Sequence, residues 1–394
     1  RGARIEEQGA GMGRHRGDQL ELGFDDLGEV HTAEIPVKEQ VVVLGVIDRR
    51  GADQPVSVGD AGQSAQPTQV GRIGRHGASL PCCARRVTAY VGGMRALVAG
   101  HLCLDLRPML THEPTREPGQ LDLVGPAEVT LGGCVSTTGT ALAARGVSVS
   151  LAAAVGNDAL ADLTMALLER TGVDISRVHR VEHPASYTVI LEPPGADRMF
   201  WHHTGANDHF DGSEVDVDGV DLLHLGYPSL LPALVVEDGM PLARLFEAAR
   251  ARGVITSLDL AVIDGERRDV QGWERFLARV LPVTDIITPS TDDLASAIGT
   301  PVAATSEELT RAAQWLVDLG AGTAMVSGGA QGAGWATRAG DQGATPALPV
   351  TRVRGTTGAG DTSTAAFLAA RLCGESVEMA AAAAMEAAAA HISG

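Results

Sequence analysis

The segment Gly355-Thr-Thr-Gly-Ala-Gly-Asp361, followed by an apolar run from Ala365 to Leu372, groups the residue types that phosphoryl transfer needs. Small residues ahead of a helix let backbone N–H groups close around an anion, and the positive end of the helix dipole adds to their pull. A carboxylate at Asp361 then stands where a phosphoryl group is held and can accept the proton of an attacking hydroxyl. Taken alone, the same residues also read as a glycine turn with Asp361 as a helix cap. Asp105 closes a second apolar run, Arg95 to Leu104. An ionised carboxylate at a strand end suits a hydroxyl-rich ligand, since each hydroxyl can donate to it; a turn-forming aspartate is the plainer reading. Gly132 and Gly133 lack Cβ atoms, so backbone there can approach a ligand closely, or simply turn before a helix.

Elements must carry these residues, and from Met94 onward short apolar runs alternate with helical stretches. The pattern predicts a first strand over 95–105 ending in a turn, then a helix over 140–145, strand 147–153, helix 159–171 and strands 187–191 and 222–225. Helix 241–252, strand 254–258, helix 272–281, strand 286–288, helix 306–319, strand 323–327 and helix 360–372 follow. Such alternation predicts an α/β fold, a mainly parallel sheet with helices on both faces and ligands outside the carboxyl ends of the strands. The alanine-rich stretch 376–391 predicts a helix of high propensity and low hydrophobicity, not a membrane span.

Composition narrows the ligands. The chain has 394 residues, 31 basic and 49 acidic, for a net charge of −18, which disfavours nucleic acid and anionic membrane surfaces. Its one lysine is Lys38, so neither a Gly-Lys-Ser/Thr phosphate loop nor a Schiff-base lysine fits elsewhere. The five cysteines form no CxxC pair, and neither they nor the histidines suggest a metal cluster. A soluble, cytoplasmic protein acting on a small molecule is the expectation. Residues 1–93 carry 16 glycines and 7 glutamines with one strand-like run, 41–47, and are expected to be a largely irregular, atypical extension. Met94 is the expected native start, and 94–394 the functional domain.

Over 94–394 the sequence resembles the ribokinase-like, PfkB-type carbohydrate kinases. The resemblance rests on landmarks in order: Leu131-Gly132-Gly133-Cys134 through Thr137 and Thr138, Val155-Gly156-Asn157-Asp158, Asp197-Arg198 with Gly205-Ala206-Asn207, Pro289-Ser290 with Asp293, Ser327-Gly328-Gly329 through Gly332, and Thr357-Gly358-Ala359-Gly360-Asp361. It implies ATP and Mg2+, with Asp361 as general base and Gly358, Ala359 and Gly360 as the anion hole. Asp105, Gly132, Gly133, Thr137, Arg198 and Asn207 are then the sugar-side residues, Arg198 and Asn207 as lid residues. Ser327, Gly329, Gly332, Thr356 and Thr357 line the nucleotide, and Asp293 organises magnesium through water. A small β lid is implied from about 106–130 and 185–210, with a homodimer through it.

The sequence departs from the family pattern at several of these places. Thr137 and Ser290 stand where asparagines are usual, Asp293 where glutamate is, Ala161 where glycine is, and Gly355 where an aspartate often serves a monovalent cation. Relatives continue beyond the final helix, so a truncated carboxyl terminus is expected. A nucleoside kinase, or a sugar-binding regulatory protein that keeps the fold without transfer, are the alternative readings.

Overall fold

The computed structural model describes residues 93–394 apart from 116, 196–197, 264 and 266–268. The expectations for residues before Gly93, including irregular structure there, and for Asp197 lie outside the described residues. In chain order the strands are β1 (Arg95–Gly100), β2 (Cys103–Pro108), β3 (Ala127–Gly132), β4 (Ser148–Val155), β5 (Asp174–Arg180), β6 (Tyr187–Leu191) and β7 (Met199–His203). β8 (Leu222–Gly226), β9 (Ile255–Asp259), β10 (Ile286–Ile287), β11 (Thr323–Ser327), β12 (Ala333–Thr337) and β13 (Gln342–Thr345) complete them. The helices are α1 (Cys134–Ala143), α2 (Ala159–Glu169), α3 (Pro232–Ala251), α4 (Val270–Val280), α5 (Thr291–Ile298), α6 (Ser306–Asp318), α7 (Ala359–Leu372) and α8 (Val377–Ser393).

Nine strands form the central sheet in the order β13-β12-β11-β10-β9-β8-β1-β4-β5. It is parallel from β11 to β5, and β12 and β13 extend it antiparallel. Both faces are covered, as a parallel sheet requires. Leu97 and Ala99 of β1 pack into one core with Phe246 of α3 and Phe276 of α4, while Ala96 and Val98 face Leu142 of α1 and Phe367 of α7. On that second face α8 buries Ala380, Ala381 and Ala384. A separate four-stranded sheet, β3-β2-β6-β7, forms the small β lid. Among the described residues, no helix is long and apolar enough to cross a membrane.

Three local outcomes differ from the sequence expectation. The run 95–105 is not one strand but two in different sheets. At Gly100, with φ +119°, an added Cβ would sit 2.6 Å from the Gly226 carbonyl oxygen, and the chain breaks there, crosses at His101 and Leu102, and re-enters the lid sheet as β2. Asp105 is therefore the third residue of β2, paired with Thr130 of β3. The expected helix 140–145 begins earlier, at Cys134, although its first turns are small and β-branched. Their hydroxyls turn back onto the helix: Ser136 donates to the Gly132 carbonyl at 3.0 Å, Thr137 to Gly133 at 2.7 Å and Thr140 to Ser136 at 2.7 Å. Finally, α3 starts at Pro232, ahead of the expected helix, and non-helical backbone at Val236–Gly239 separates that turn from the regular part.

Candidate active site

The carboxyl ends of the parallel strands bring the chemistry to one edge. β1 runs into His101, β8 into Tyr227, β9 ends on Asp259 and β11 on Ser327. Because β1 lies between β4 and β8, the chain leaves it in both directions, which opens a crevice at this edge.

Asp361 stands in the first turn of α7, 6% exposed. Gly358, at φ +80° and ψ 0°, turns the chain into that helix, and the helix's first amide N–H groups have no partner within it. Thr138 of α1 and Tyr227 both donate hydroxyl hydrogen bonds of 2.8 Å to Asp361 Oδ1. Burial pushes the Asp361 carboxyl up; hydroxyls of Thr137, Thr138 and Tyr227, with His391 nearby, pull it partly back, and the net direction is upward. A buried carboxylate shifted this way is a stronger proton acceptor once ionised. Tyr227 occupies the left-handed region, φ 68° and ψ 59°, a conformation that costs a non-glycine residue about 1–3 kcal/mol. Burial and neighbouring acids keep its phenol protonated and so a donor.

Two further carboxylates share this electrostatic environment. Asp259 is buried and pushed well above the usual carboxylate range, first by burial and then by Asp293 and Asp361. Asp293 rises to about 6, chiefly by burial, against hydrogen bonds from Ser290. Those bonds form a capping box on α5: the Ser290 N–H and hydroxyl donate to Asp293 Oδ2 at 2.8 and 2.7 Å, and the Asp293 N–H donates back to Ser290 Oγ at 3.2 Å. Ser290 and Asp293 thus make a self-consistent pair of shorter side chains. Desolvated acids raised by neighbouring carboxylates are relieved by a hard cation, and oxygen donors of this kind fit Mg2+.

On the lid side, Asp105 is buried and raised by that burial, and the Cys103 thiol donates to its Oδ1 at 3.4 Å. Gly132 is required here, because a Cβ would fall 2.3 Å from Asp105 Oδ1. At Gly133, φ +83°, a Cβ would meet the His101 carbonyl oxygen at 2.5 Å. Asn207 is fully buried and spends its amide on Leu102: Oδ1 accepts from the Leu102 N–H at 3.3 Å and Nδ2 donates to its carbonyl at 3.0 Å. It therefore clamps the β1–β2 crossover rather than reaching outward. Arg198, just ahead of β7, crosses to the loop ahead of α7, donating to Thr357 Oγ1 at 2.8 Å, with its guanidinium 5.4 Å from the Phe200 ring centroid.

The loop Gly328–Gly332 follows β11 on the same edge, closed by a hydrogen bond from the Gly328 N–H to the Gly332 carbonyl at 2.8 Å. Gly329 has φ +58° with open space where a Cβ would be, and at Gly332, φ +95°, a Cβ would lie 2.1 Å from the Thr345 carbonyl oxygen. Thr356 and Thr357 precede α7, the Thr356 carbonyl accepting from the Ala359 N–H at 3.2 Å. His391 of α8 braces this turn: Nε2 donates to the Thr357 carbonyl at 2.7 Å, and the Thr362 hydroxyl lies 3.2 Å from Nδ1.

Residues 95–394 match the family described as pfkB family carbohydrate kinase. The chain belongs to that family. It is a carbohydrate kinase, a phosphotransferase with an alcohol group as acceptor. An uncharacterized sugar kinase of Archaeoglobus fulgidus is 25% identical over 240 residues, 60% of this chain and 88% of that protein. Ribokinase of Arabidopsis thaliana, solved with ribose and ATP, superposes with a TM-score of 0.62 at 22% identity over 76% of this chain and 93% of its own. Giardia lamblia ribokinase gives 0.64 at 18% identity, over 76% and 94%. These likenesses support the ribokinase-like fold.

In this sugar kinase the structure brings Asp361, Gly358–Gly360, Thr137 and the Arg198–Thr357 bridge to the amino-terminal end of α7, and groups Asp105 with Gly132. Sequence reasoning missed Tyr227, Asp259 and His391. The strand-end argument that singled out Asp105 applies equally to Asp259 at the end of β9. No spacing marks Tyr227, whose partner Asp361 is 134 residues away. The structure also places His101, Cys103 and His202 within reach of one another, so the absence of a metal-ligating cluster inferred from spacing does not hold in three dimensions.

Proposed function

We propose that the protein transfers the γ-phosphate of ATP to a hydroxyl, preferentially a primary one, of a small carbohydrate. Asp361 carries this reading: a buried carboxylate oriented by two hydroxyl donors, in the first turn of a helix opened by Gly358-Ala359-Gly360. In the reaction Asp361 accepts the proton of the attacking hydroxyl, while amide N–H groups at the start of α7 hold the transferred phosphate. Asp105 accepts hydrogen bonds from other acceptor hydroxyls, oriented by the backbone space at Gly132 and Gly133. Thr137 of α1 lies beside Asp361 and faces the acceptor. Arg198, tied to Thr357, supplies positive charge where lysine is absent, and Asn207 holds the crossover from which β2 enters the lid. The loop through Ser327, Gly329 and Gly332, with Thr356 and Thr357, lies along the nucleotide. Asp259 and Asp293 would hold Mg2+, which would supply neutralisation of charge on the phosphates. Positioning dominates, since phosphoryl transfer leaves little covalent work to the protein.

The lid excludes water, which would otherwise compete as acceptor. Its exposed Trp201 on β7 supports a homodimer through the face that residue presents. The free thiols of Cys103, Cys134 and Cys373 fit a reducing, cytoplasmic setting. The test is ADP release with ATP and Mg2+ against ribose, fructose, fructose phosphates, ketodeoxygluconate and adenosine, with Asp361→Ala as blank. Turnover on one sugar above the blank is the expected result. Turnover that survives Asp361→Ala removes it from the base role. Silence with ligand-induced thermal stabilisation replaces the transfer reading with a sugar-binding one.

A further inference from the structure

His101 follows β1, Cys103 opens β2 and His202 lies on β7, about a hundred residues further along the chain. The lid order β3-β2-β6-β7 brings them together with one strand between β2 and β7. One ligand atom from each lies within 4.8 Å of the other two. The two Nε2 atoms are 3.3 Å apart. A tetrahedral ion with metal–nitrogen bonds of about 2.0–2.1 Å has an N···N edge of roughly 3.3–3.4 Å, so this imidazole pair already has the spacing of two ligands on one zinc ion.

His101 is 2% exposed; its Nδ1 faces Gly133, and Nε2, hydrogen-bonded to His202, is the nitrogen turned toward the cluster and available to an ion. His202 is oriented from behind by Thr188, whose hydroxyl lies 3.0 Å from Nδ1, the outer-shell contact that ligating histidines commonly have. Two nitrogens and one sulfur are a borderline-soft donor set that suits zinc and not magnesium.

We propose that His101, Cys103 and His202 bind a zinc-class divalent cation at the junction of the main sheet and the lid, beside the acceptor carboxylate Asp105. On binding, the Cys103 S–H bond breaks, sulfur keeps the electron pair and bonds the metal, and the proton leaves to solvent. Three protein ligands leave a fourth tetrahedral position for water or a hydroxyl of the acceptor. The ion ties β7 to the end of β1 and so latches the lid. Metal binding by the three side chains stands on their geometry alone, whereas contact of the ion with an acceptor hydroxyl rests on the phosphoryl-transfer reading.

The test is Co2+ titration of the chelator-treated full chain, read by absorption. One equivalent should produce a thiolate-to-cobalt charge-transfer band in the near ultraviolet with visible bands of tetrahedral cobalt, both bleached by Zn2+. Cys103→Ser should remove the charge-transfer band, and His202→Ala should weaken Co2+ binding at least tenfold, with circular dichroism confirming that each variant is folded. Asp361→Asn should keep the full spectrum while losing turnover, which separates this site from the kinase reading. Absence of the band in the folded wild-type chain, or its survival in both Cys103→Ser and His202→Ala, overturns the proposal.

Discussion

Asp361 receives the hydroxyls of Thr138 and Tyr227 on a single carboxylate oxygen, each at 2.8 Å. Hydrogen bonds to a carboxylate favour its ionised form, so they oppose the upward push of burial. Tyr227→Phe removes one of them, and the Asp361 value moves further up. On the proposed reading Asp361 acts as base only when ionised, so activity is lost as pH falls through that value. The acidic limb of kcat/KM therefore moves to higher pH, and the loss relative to wild type is larger at pH 6 than at pH 8. A hydrogen bond to a charged group is worth about 1.5–3 kcal/mol, which puts the loss on the limb at roughly tenfold or more. A pH–rate profile checks it; parallel profiles would assign Tyr227 a purely structural role. Asp361 was legible in the sequence because its glycine neighbours are contiguous with it. Tyr227 was not, because its relation to Asp361 exists only once β8 and α7 meet.

Elements place Asp105 as sharply as residues place Asp361. β3 runs beside β2, and Gly132 at its end leaves the volume that the Asp105 carboxylate fills, with a Cβ there only 2.3 Å from Oδ1. Gly132→Ala should raise KM for the sugar at least tenfold while KM for ATP changes less than twofold, measured by steady-state kinetics. Equal effects on both would show a general disturbance of the fold. The pattern of runs located β6 and β11 to the residue, and α2, α6 and β4 within two residues at each end, because caps such as Asp158 and Thr305 mark the helices. It missed β3, β5, β7 and β13, which lie at sheet edges, where burial on both faces does not impose an apolar run, and β12, which is buried throughout but built of Ala-Gly-Trp-Ala-Thr, too small and mixed to read as one. It also fused β1 with β2, since the break at Gly100 falls inside continuous hydrophobicity.

The described residues form a main sheet, against which α7 packs, and a smaller sheet that carries Asp105; on the proposed reading they hold the phosphate and the acceptor respectively. Trp201 is 62% exposed and Phe200 52% on β7, with Leu121 and Leu123 also open between β2 and β3. Large apolar side chains in this arrangement call for a cover. Trp201→Glu with Leu123→Glu should convert a wild-type dimer to monomer in multi-angle light scattering. A wild-type chain that is already monomeric would refute the lid dimer. On the proposed reading, the separation of Asp105, on the lid sheet, from Asp361, on a helix packed against the main sheet, has an evolutionary consequence. Acceptor preference can drift through substitutions in β2, β3, β6 and β7 while the machinery at the start of α7 is left intact. A descendant or a designed variant can thus inherit the transfer chemistry unchanged and acquire a new sugar by rebuilding four short strands.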